Sequence, residues 1–274
     1  MRIRVNNNVY KLDKNFDFSG GEVQIRLPEM FIQEGDTIYV NTVLDSPRAI
    51  MEMLLVDNAL RHIIPVNVKS ILEVYYMPYA RQDRVCYQGE ACSAEVIFGL
   101  LNSTSFDYIR FADLHSPQEY MNNRFVELTQ LGIFQYNPSI LANIDVIVSP
   151  DKGAIEKSNS IAKYFQLDIS QSEKVRDPEN GDLKAITIDP TVSLKDKHLM
   201  IVDDICDGGG TFIWTAKELL KHKPMSVSLY VTHGIFSKGT DCLFSAGIFH
   251  IFTTNSFYET DPQIRDKRIT VIKL

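Results

Sequence analysis

Apolar runs of four to seven residues alternate along the chain with stretches whose apolar positions recur at helical spacing. In the run 49–61, for example, Ile50, Met53, Leu54 and Leu60 fall near one face of a helix. The pattern predicts strands at 37–40, 70–76, 108–111, 144–148, 198–202 and 226–232, and helices at 49–61, 94–101, 154–165 and 210–221.

Strands and helices that alternate at this spacing are typical of βαβ units, and therefore of parallel sheets. Two such series are separated by a turn-rich stretch at 132–138. The sequence thus predicts an α/β fold with two tandem domains, at 1–134 and 135–274, each a mostly parallel sheet flanked by helices. The polar stretch 177–182 is predicted to be an exposed loop or hairpin turn.

Four polar segments each follow directly after an apolar run, at 78–84, 113–118, 149–153 and 203–211. In open parallel sheets, ligands bind beyond the carboxyl ends of the strands. These four segments are therefore the predicted lining of the functional site.

Composition and charge narrow the class of function. The chain has 274 residues, 45% of them hydrophobic, and a formal net charge of -7, which argues against a nucleic-acid partner held by nonspecific charge. The four cysteines form no C-x-x-C pair, so free thiols in a reducing compartment are expected. No signal-peptide core or long apolar run occurs, and a cytoplasmic protein without a membrane partner is expected.

The segment 203–211 carries the most specific chemistry. Two adjacent carboxylates, Asp203 and Asp204, follow a predicted strand, and three glycines then precede a predicted helix. Glycines allow the backbone to approach an anion, and a helix start offers free N–H groups. Because carboxylates repel phosphate, the pair suits the hydroxyls of a sugar that carries the phosphate.

This segment resembles the phosphoribosyl-pyrophosphate binding motif V-D-D-x-x-D-T-G-G-T. The resemblance implies that Asp203 and Asp204 bind the ribose 2- and 3-hydroxyls. It also implies a 5-phosphate cradle formed by Asp207, Gly208, Gly209, Gly210 and Thr211. The motif occurs in phosphoribosyltransferases, which consume the activated sugar, and in ribose-phosphate pyrophosphokinases, which make it.

Segments elsewhere resemble the pyrophosphokinases. The run from Pro78 to Arg84 resembles P-Y-x-R-Q-D-[RK], and further segments resemble F-S-[DN]-x-E, D-L-H-x-x-Q, S-P-D-x-G, K-x-R and T-H-[PG]-I-F-S. The resemblance implies two phosphoribosyltransferase-like domains. It also implies a magnesium-dependent enzyme of nucleotide biosynthesis. The implied reaction moves the β,γ-diphosphoryl group of ATP to a 5-phosphorylated ribose and releases AMP. The resemblance further implies a homo-oligomer with a shared ATP site. The implied residues are Phe18, Glu22, Arg81, Gln82, Asp83 and His115 for ATP, His115 and Asp151 for the metal, and Lys174 and Arg176 for catalysis.

The sequence departs from the family pattern at several points. Gly208 replaces the threonine of D-T-G-G-T, and Gly20 replaces an acidic or amide residue. The chain is also expected to be trimmed at both ends relative to the family, which leaves the usual hexamer and its control open. Loss of the threonine hydroxyl would weaken phosphate binding by about 1.5–3 kcal/mol, or would admit a bulkier 5-substituted ribose such as ADP-ribose. A phosphoribosyltransferase and a silent regulatory homologue stay open as alternatives.

Overall fold

The computed structural model describes residues 1–12, 15–176, 183–189, 191–257 and 266–274, with the backbone alone for residues 15, 174–176 and 183–185. The chain forms two compact units, Met1–Leu128 and Thr129–Leu274. The boundary predicted between 134 and 135 falls inside a helix of the second unit, Gln130–Tyr136. The turn predicted at 177–182 lies outside the described residues.

Unit 1 is built on a six-stranded sheet with the strand order β2-β1-β5-β6-β7-β8. Strands β5 to β8 run parallel, and β1 pairs antiparallel with β2 and β5. The elements are β1 (Arg2–Val5), β2 (Asn8–Lys11), β3 (Asn15–Asp17), β4 (Val23–Ile25), β5 (Thr37–Asn41), α1 (Pro47–Arg61), β6 (Lys69–Glu73), α2 (Ser93–Ser103), β7 (Tyr108–Ala112) and β8 (Phe125–Leu128).

Local sequence explains where α1 begins. The Ser46 hydroxyl accepts a hydrogen bond from the Ala49 amide at 3.2 Å, and Pro47 occupies the first helical position, where its missing N–H costs nothing. Apolar side chains at helical spacing, Ile50, Met53 and Leu60 among them, then enter the core. This is the helix predicted at 49–61, with two residues added at its start.

Unit 2 is built on a seven-stranded sheet with the order β11-β10-β9-β12-β13-β14-β15, in which only β11 is antiparallel to its neighbour. The elements are α3 (Gln130–Tyr136), a 3₁₀ turn (Pro138–Leu141), β9 (Val146–Ser149), α4 (Ile155–Phe165), β10 (Asp168–Arg176), β11 (Leu183–Ile188), β12 (His198–Cys206), α5 (Gly210–Lys221), β13 (Ser226–Gly234), α6 (Asp241–Ser245), β14 (His250–Thr254) and β15 (Ile269–Ile272).

The predicted α/β class, with two mostly parallel sheets and helices between their strands, is confirmed. One local prediction was wrong: the strand expected at 198–202 continues to Cys206, so Asp203 and Asp204 lie within β12 instead of following it. The reason is that β13 also extends, and residues 203, 205 and 206 pair with Val231, His233 and Gly234. The pairing of β12 with β13 therefore extends beyond the apolar run from which the strand was predicted.

The strand predicted at 70–76 differs in the opposite direction, because it ends at Glu73. No helix among the described residues is long and apolar enough to cross a membrane.

Candidate active site

The turn between β12 and α5 forms a tight cradle. After Cys206, residues 207 and 208 make the turn, Gly209 takes a left-handed φ of 75°, and α5 begins at Gly210. The first amides of a helix have no partner within the helix and carry the positive end of its dipole. The turn therefore presents N–H donors where an anion such as phosphate binds favourably.

A second loop packs against this cradle. The amides of Ile235 and Phe236, which follow β13, both donate to the carbonyl oxygen of Cys206, at 2.9 and 3.0 Å. Leu243 of α6 approaches so closely that a Cβ on Gly209 would lie 3.0 Å from its Cδ2. The cradle thus has its shape fixed from outside, and Gly209 is required both for its φ and for the close packing.

The two carboxylates lie just before the cradle. Asp203 Oδ1 accepts the Asp204 amide at 2.9 Å, and the Gln130 side chain donates to the Asp203 carbonyl at 2.9 Å. Lys157 Nζ lies 3.9 Å from Asp204 Oδ2. Burial, followed by the charges of Asp204 and Asp151, raises the pKa of Asp203 well above its ordinary value of 3.8. Such a concentration of negative charge favours a ligand that brings hydroxyl donors or a cation.

Asp151 follows the neighbouring strand, β9, and its carboxylate is held in place. Its Oδ1 accepts the amides of Gly153 and Ala154 at 2.9 and 3.2 Å, at the start of α4. The Ser149 hydroxyl donates to the carbonyl oxygen of Asp151 at 2.8 Å. The two backbone amides thus hold Oδ1 of Asp151, and because the carboxylate is rigid they also fix the position of its other oxygen.

In unit 1, the segments after β6 and β7 are joined by hydrogen bonds, because these two strands are neighbours in the sheet. Asp83 accepts two hydrogen bonds from Arg84, at 2.9 and 3.1 Å, and one from the Ser116 hydroxyl at 2.7 Å. The Gln118 amide in turn donates to the Ser116 hydroxyl at 2.9 Å. The Arg84 guanidinium first, and then the Ser116 hydroxyl, hold the pKa of Asp83 at about 2.

The other residues predicted for ATP lie on the surface of unit 1. Arg81, Gln82 and His115 are exposed on the two joined segments. Phe18 and Glu22 lie on the turn between β3 and β4, where the Phe18 amide donates to the Glu22 carbonyl at 2.9 Å. The Phe18 ring is 58% exposed. Their role in ATP binding stays a prediction.

Comparison with known proteins identifies the family. Residues 130–246, most of unit 2, match the phosphoribosyl transferase domain family. The ribose-phosphate pyrophosphokinase of Pyrococcus furiosus is 31% identical over 245 residues, which are 87% of this chain and 84% of that protein. This chain belongs to the ribose-phosphate pyrophosphokinase family. The ribose-phosphate pyrophosphokinase of Mycoplasma genitalium is 29% identical over 92% of this chain and 76% of its own.

A solved structure supports the same assignment. The phosphoribosylpyrophosphate synthetase from Mycobacterium smegmatis superposes with a TM-score of 0.78 and 25% identity, over 95% of this chain and 85% of that chain. The resemblance predicted from the motifs is therefore confirmed, and the protein is an enzyme of the diphosphokinase type. The two tandem phosphoribosyltransferase-like domains are confirmed with it.

The backbone of the two residues predicted to be catalytic cations lies in a strand of unit 2. Lys174 and Arg176 lie in β10, next to β9 and paired with β11, and the pairing register shifts between Val175 and Arg176. Their catalytic role stays a prediction.

Three residues near the cradle were missed by sequence reasoning: Gln130, Lys157 and Lys238. Gln130 and Lys157 contact the acidic pair from distant helices, and no motif marks them. Lys238 follows directly after the T-H-G-I-F-S segment, so its place in the chain was a usable signal.

The packing of the cradle predicts different effects for its second and third glycines. Gly209→Ala should lower the free energy of unfolding by about 1–2 kcal/mol or more, because alanine disfavours a left-handed φ and its methyl group would displace Leu243. Gly210→Ala is the matched control, since a Cβ there meets nothing within 4 Å. Urea denaturation of both variants checks this, and equal loss of stability in the two would contradict it.

The raised pKa of Asp203 predicts a stability that depends on pH. The pKa of Asp203 is higher in the folded protein than its ordinary value of 3.8. Ionisation of this carboxyl therefore lowers the free energy of unfolding as the pH rises. Asp203→Asn, which keeps the oxygen that accepts the Asp204 amide, should therefore stabilise the ligand-free protein. The gain should grow from pH 4 upward by as much as about 1.4 kcal/mol per pH unit until the raised pKa is passed.

Unfolding midpoints measured between pH 4 and pH 8 test this expectation. Asp207→Asn on the exposed turn is the control, and it should change stability by no more than about 0.5 kcal/mol. A loss of stability in Asp203→Asn at neutral pH would show that the carboxylate is not under electrostatic strain.

Proposed function

We propose that this enzyme transfers the β,γ-diphosphoryl group of ATP to the anomeric hydroxyl of ribose 5-phosphate, giving phosphoribosyl pyrophosphate and AMP. The observation that carries this proposal is the junction of β12 and α5, where two carboxylates precede a glycine turn that presents helix amides. Carboxylates accept hydrogen bonds from hydroxyls and repel phosphate. The turn instead presents N–H donors at a helix start, which attract phosphate. The junction therefore suits a molecule with vicinal hydroxyls at one end and phosphate at the other.

Orientation of the sugar follows from that polarity. With its 2- and 3-hydroxyls on Asp203 and Asp204 and its 5-phosphate on the turn from Asp207 to Thr211, a ribose has few ways to bind. Its 1-hydroxyl is then the one left to react. Holding it in line with the β-phosphorus contributes much of the rate, because phosphoryl transfer depends on positioning and charge neutralisation.

The transfer forms one bond and breaks one. The oxygen of the 1-hydroxyl bonds to the β-phosphorus, the bond from that phosphorus to the oxygen of the α-phosphoryl group breaks, and the hydroxyl proton is released. AMP leaves. Lys174 and Arg176 are proposed to neutralise the charge that develops on the diphosphoryl group, and no covalent enzyme intermediate is required.

ATP is proposed to bind to unit 1. Phe18 offers an exposed ring for stacking, Glu22 accepts hydrogen bonds, and the joined segments supply Arg81, Gln82 and His115. Asp83 supports this role indirectly, because its carboxylate is occupied by Arg84 and Ser116 and so keeps the two segments together.

Magnesium is the proposed metal, with Asp151 and His115 as the residues of this chain that would hold it. Among the residues that the structure describes, no three His, Cys, Asp or Glu side chains lie close enough together to hold a metal ion alone. Magnesium accepts such a site, because it uses one or two carboxylates together with phosphate oxygens and water. When bound, it neutralises charge on the phosphates of ATP.

The proposal predicts acceptor-dependent formation of AMP. Purified enzyme with ATP and magnesium should release AMP only when ribose 5-phosphate is added. Asp204→Asn should lower kcat/KM by about 10- to 150-fold, because a hydrogen bond to a charged group is lost. Asp196→Asn is the control, since its carboxylate is 73% exposed and asparagine tolerates its left-handed φ of 57°.

Other outcomes would identify the alternatives. Pyrophosphate release that depends on phosphoribosyl pyrophosphate and a nucleobase, without AMP from ATP, would indicate a phosphoribosyltransferase. If the folded wild-type protein does not convert ATP to AMP, and Lys174→Ala gives the same result, the protein is a regulatory homologue. A cytoplasmic location and a homo-oligomer that shares its ATP site are further parts of the proposal, open to fractionation and to sedimentation measurements.

A second acceptor is favoured by one observation at Gly208. A Cβ on this residue would lie 3.5 Å from the nearest atoms, which belong to Lys238, so it would be in ordinary van der Waals contact and would displace nothing. The threonine side chain that glycine replaces is thus absent from the cradle wall, and its absence is proposed to admit a ribose whose 5-oxygen carries more than one phosphate, such as ADP-ribose.

Direct comparison of the two acceptors tests this idea. If the space at Gly208 is used, ADP-ribose should support AMP formation at least as well as ribose 5-phosphate. Gly208→Thr should then reverse that preference, because threonine fills the space and restores a hydroxyl for the monophosphate. A strong wild-type preference for ribose 5-phosphate would end the idea.

A further inference from the structure

Lys238 lies against the glycine that replaces the family threonine. A Cβ on Gly208 would be 3.5 Å from both Cδ and Cε of Lys238 and 3.9 Å from its Cγ. The aliphatic part of the lysine therefore runs alongside residue 208, in van der Waals contact range. Its ammonium group is one bond beyond the Cε atom.

The loop that carries Lys238 is anchored to the cradle. The amides of Ile235 and Phe236 hold it to the end of β12 through the carbonyl oxygen of Cys206. Beyond them, the Gly239 amide donates to the Phe236 carbonyl at 2.8 Å, and the Cys242 thiol donates to the Gly239 carbonyl at 3.5 Å. These bonds close a turn around Lys238, so its Cα is fixed beside the cradle.

The charge of this lysine is available to a ligand. Lys238 is exposed, and none of the carboxylates in the described part of the chain forms an ion pair with its Nζ. Other lysines of unit 2 have such partners, for example Lys221 with Glu218 at 2.5 Å. A cation beside a phosphate cradle, with no acidic partner in the part of the chain that the structure describes, is suited to a phosphate oxygen.

We propose that Lys238 binds the anionic group on the 5-oxygen of the sugar, in place of the hydroxyl that Gly208 lacks. The inference rests on the proposed function, because it assigns a residue to the same sugar-phosphate site. Lys238 is thus a specificity-determining residue contributed by the loop after β13, whereas the rest of the cradle comes from the turn after β12.

The exchange of a hydroxyl for an ammonium group changes what the site selects. A threonine hydroxyl sits on a short side chain and reaches only a phosphate in one position. The lysine ammonium is a point charge on a flexible stem, so it follows a phosphate over several positions. The site should therefore select for negative charge on the 5-oxygen more strongly than for the shape of the group that carries it.

Lys238→Met tests the role of the charge, since methionine keeps an unbranched stem over Gly208. We expect the Kd for ribose 5-phosphate, measured by titration calorimetry, to rise about tenfold or more, since a charge-assisted hydrogen bond is lost. The KM for ATP should stay unchanged. Lys217→Met on the exposed face of α5 is the matched control and should bind ribose 5-phosphate as the wild type does.

Restoring the family residue provides a second, independent readout. Lys238→Met combined with Gly208→Thr should recover most of the lost affinity for ribose 5-phosphate, because the hydroxyl returns. It should not recover affinity for ADP-ribose, whose larger substituent needs the space at residue 208. Wild-type affinity in Lys238→Met would overturn the proposal and would leave the lysine stem as a packing element.

Binding and turnover together separate this inference from the proposed function. Tight binding of ribose 5-phosphate without AMP formation would refute the proposed reaction, and the affinity of Lys238→Met would still decide the role of the lysine. AMP formation with equal acceptor affinity in wild type and Lys238→Met would refute only the inference. If the wild type binds neither acceptor, both fail.

Discussion

The site in unit 2 depends on the unfavourable proximity of Asp203, Asp204 and Asp151. Asp203 and Asp204 lie in β12, and Asp151 follows the neighbouring parallel strand β9. Burial, followed by the charges of Asp204 and Asp151, raises the pKa of Asp203. A fold tolerates such a cluster only where the surrounding structure holds it in place. Here β12 continues through both aspartates, Gln130 holds the Asp203 carbonyl, and the amides of Gly153 and Ala154 hold Asp151. A ligand that brings hydroxyl donors or a cation would relieve this repulsion.

The same junction turns from acidic to anion-binding within a few residues. Asp204 belongs to the strand, whereas Gly209 already belongs to the start of α5, with its unpaired amides and positive dipole end. Such a change of polarity over so short a distance favours a small molecule with two chemically different ends. A sugar phosphate is one, and the family to which the chain belongs is consistent with it.

Sequence reasoning succeeded where the determinants are local. The glycine turn after an apolar run predicted the start of α5 at Gly210. It failed where the determinants come from elsewhere in the chain. The true end of β12 depends on pairing with β13, which no pattern within β12 reveals. The hairpin β1–β2 was missed because only β1 buries alternate side chains, Ile3 and Val5, whereas β2 is exposed or half-exposed at every position. The hairpin β3–β4 was missed as well. The position of Lys238 beside Gly208 could not be predicted, because it depends on adjacent parallel strands that bring the two loops together.

The central claim is that two phosphoryl groups move together from ATP to the first carbon of the sugar. It is tested most directly by incubating the enzyme with magnesium, ribose 5-phosphate and ATP labelled in its β-phosphoryl group, and by locating the label with mass spectrometry. The label should appear in a sugar diphosphate substituted at C1, together with unlabelled AMP. Label found in ADP, which would mean that a single phosphoryl group moves, or in free pyrophosphate would contradict it.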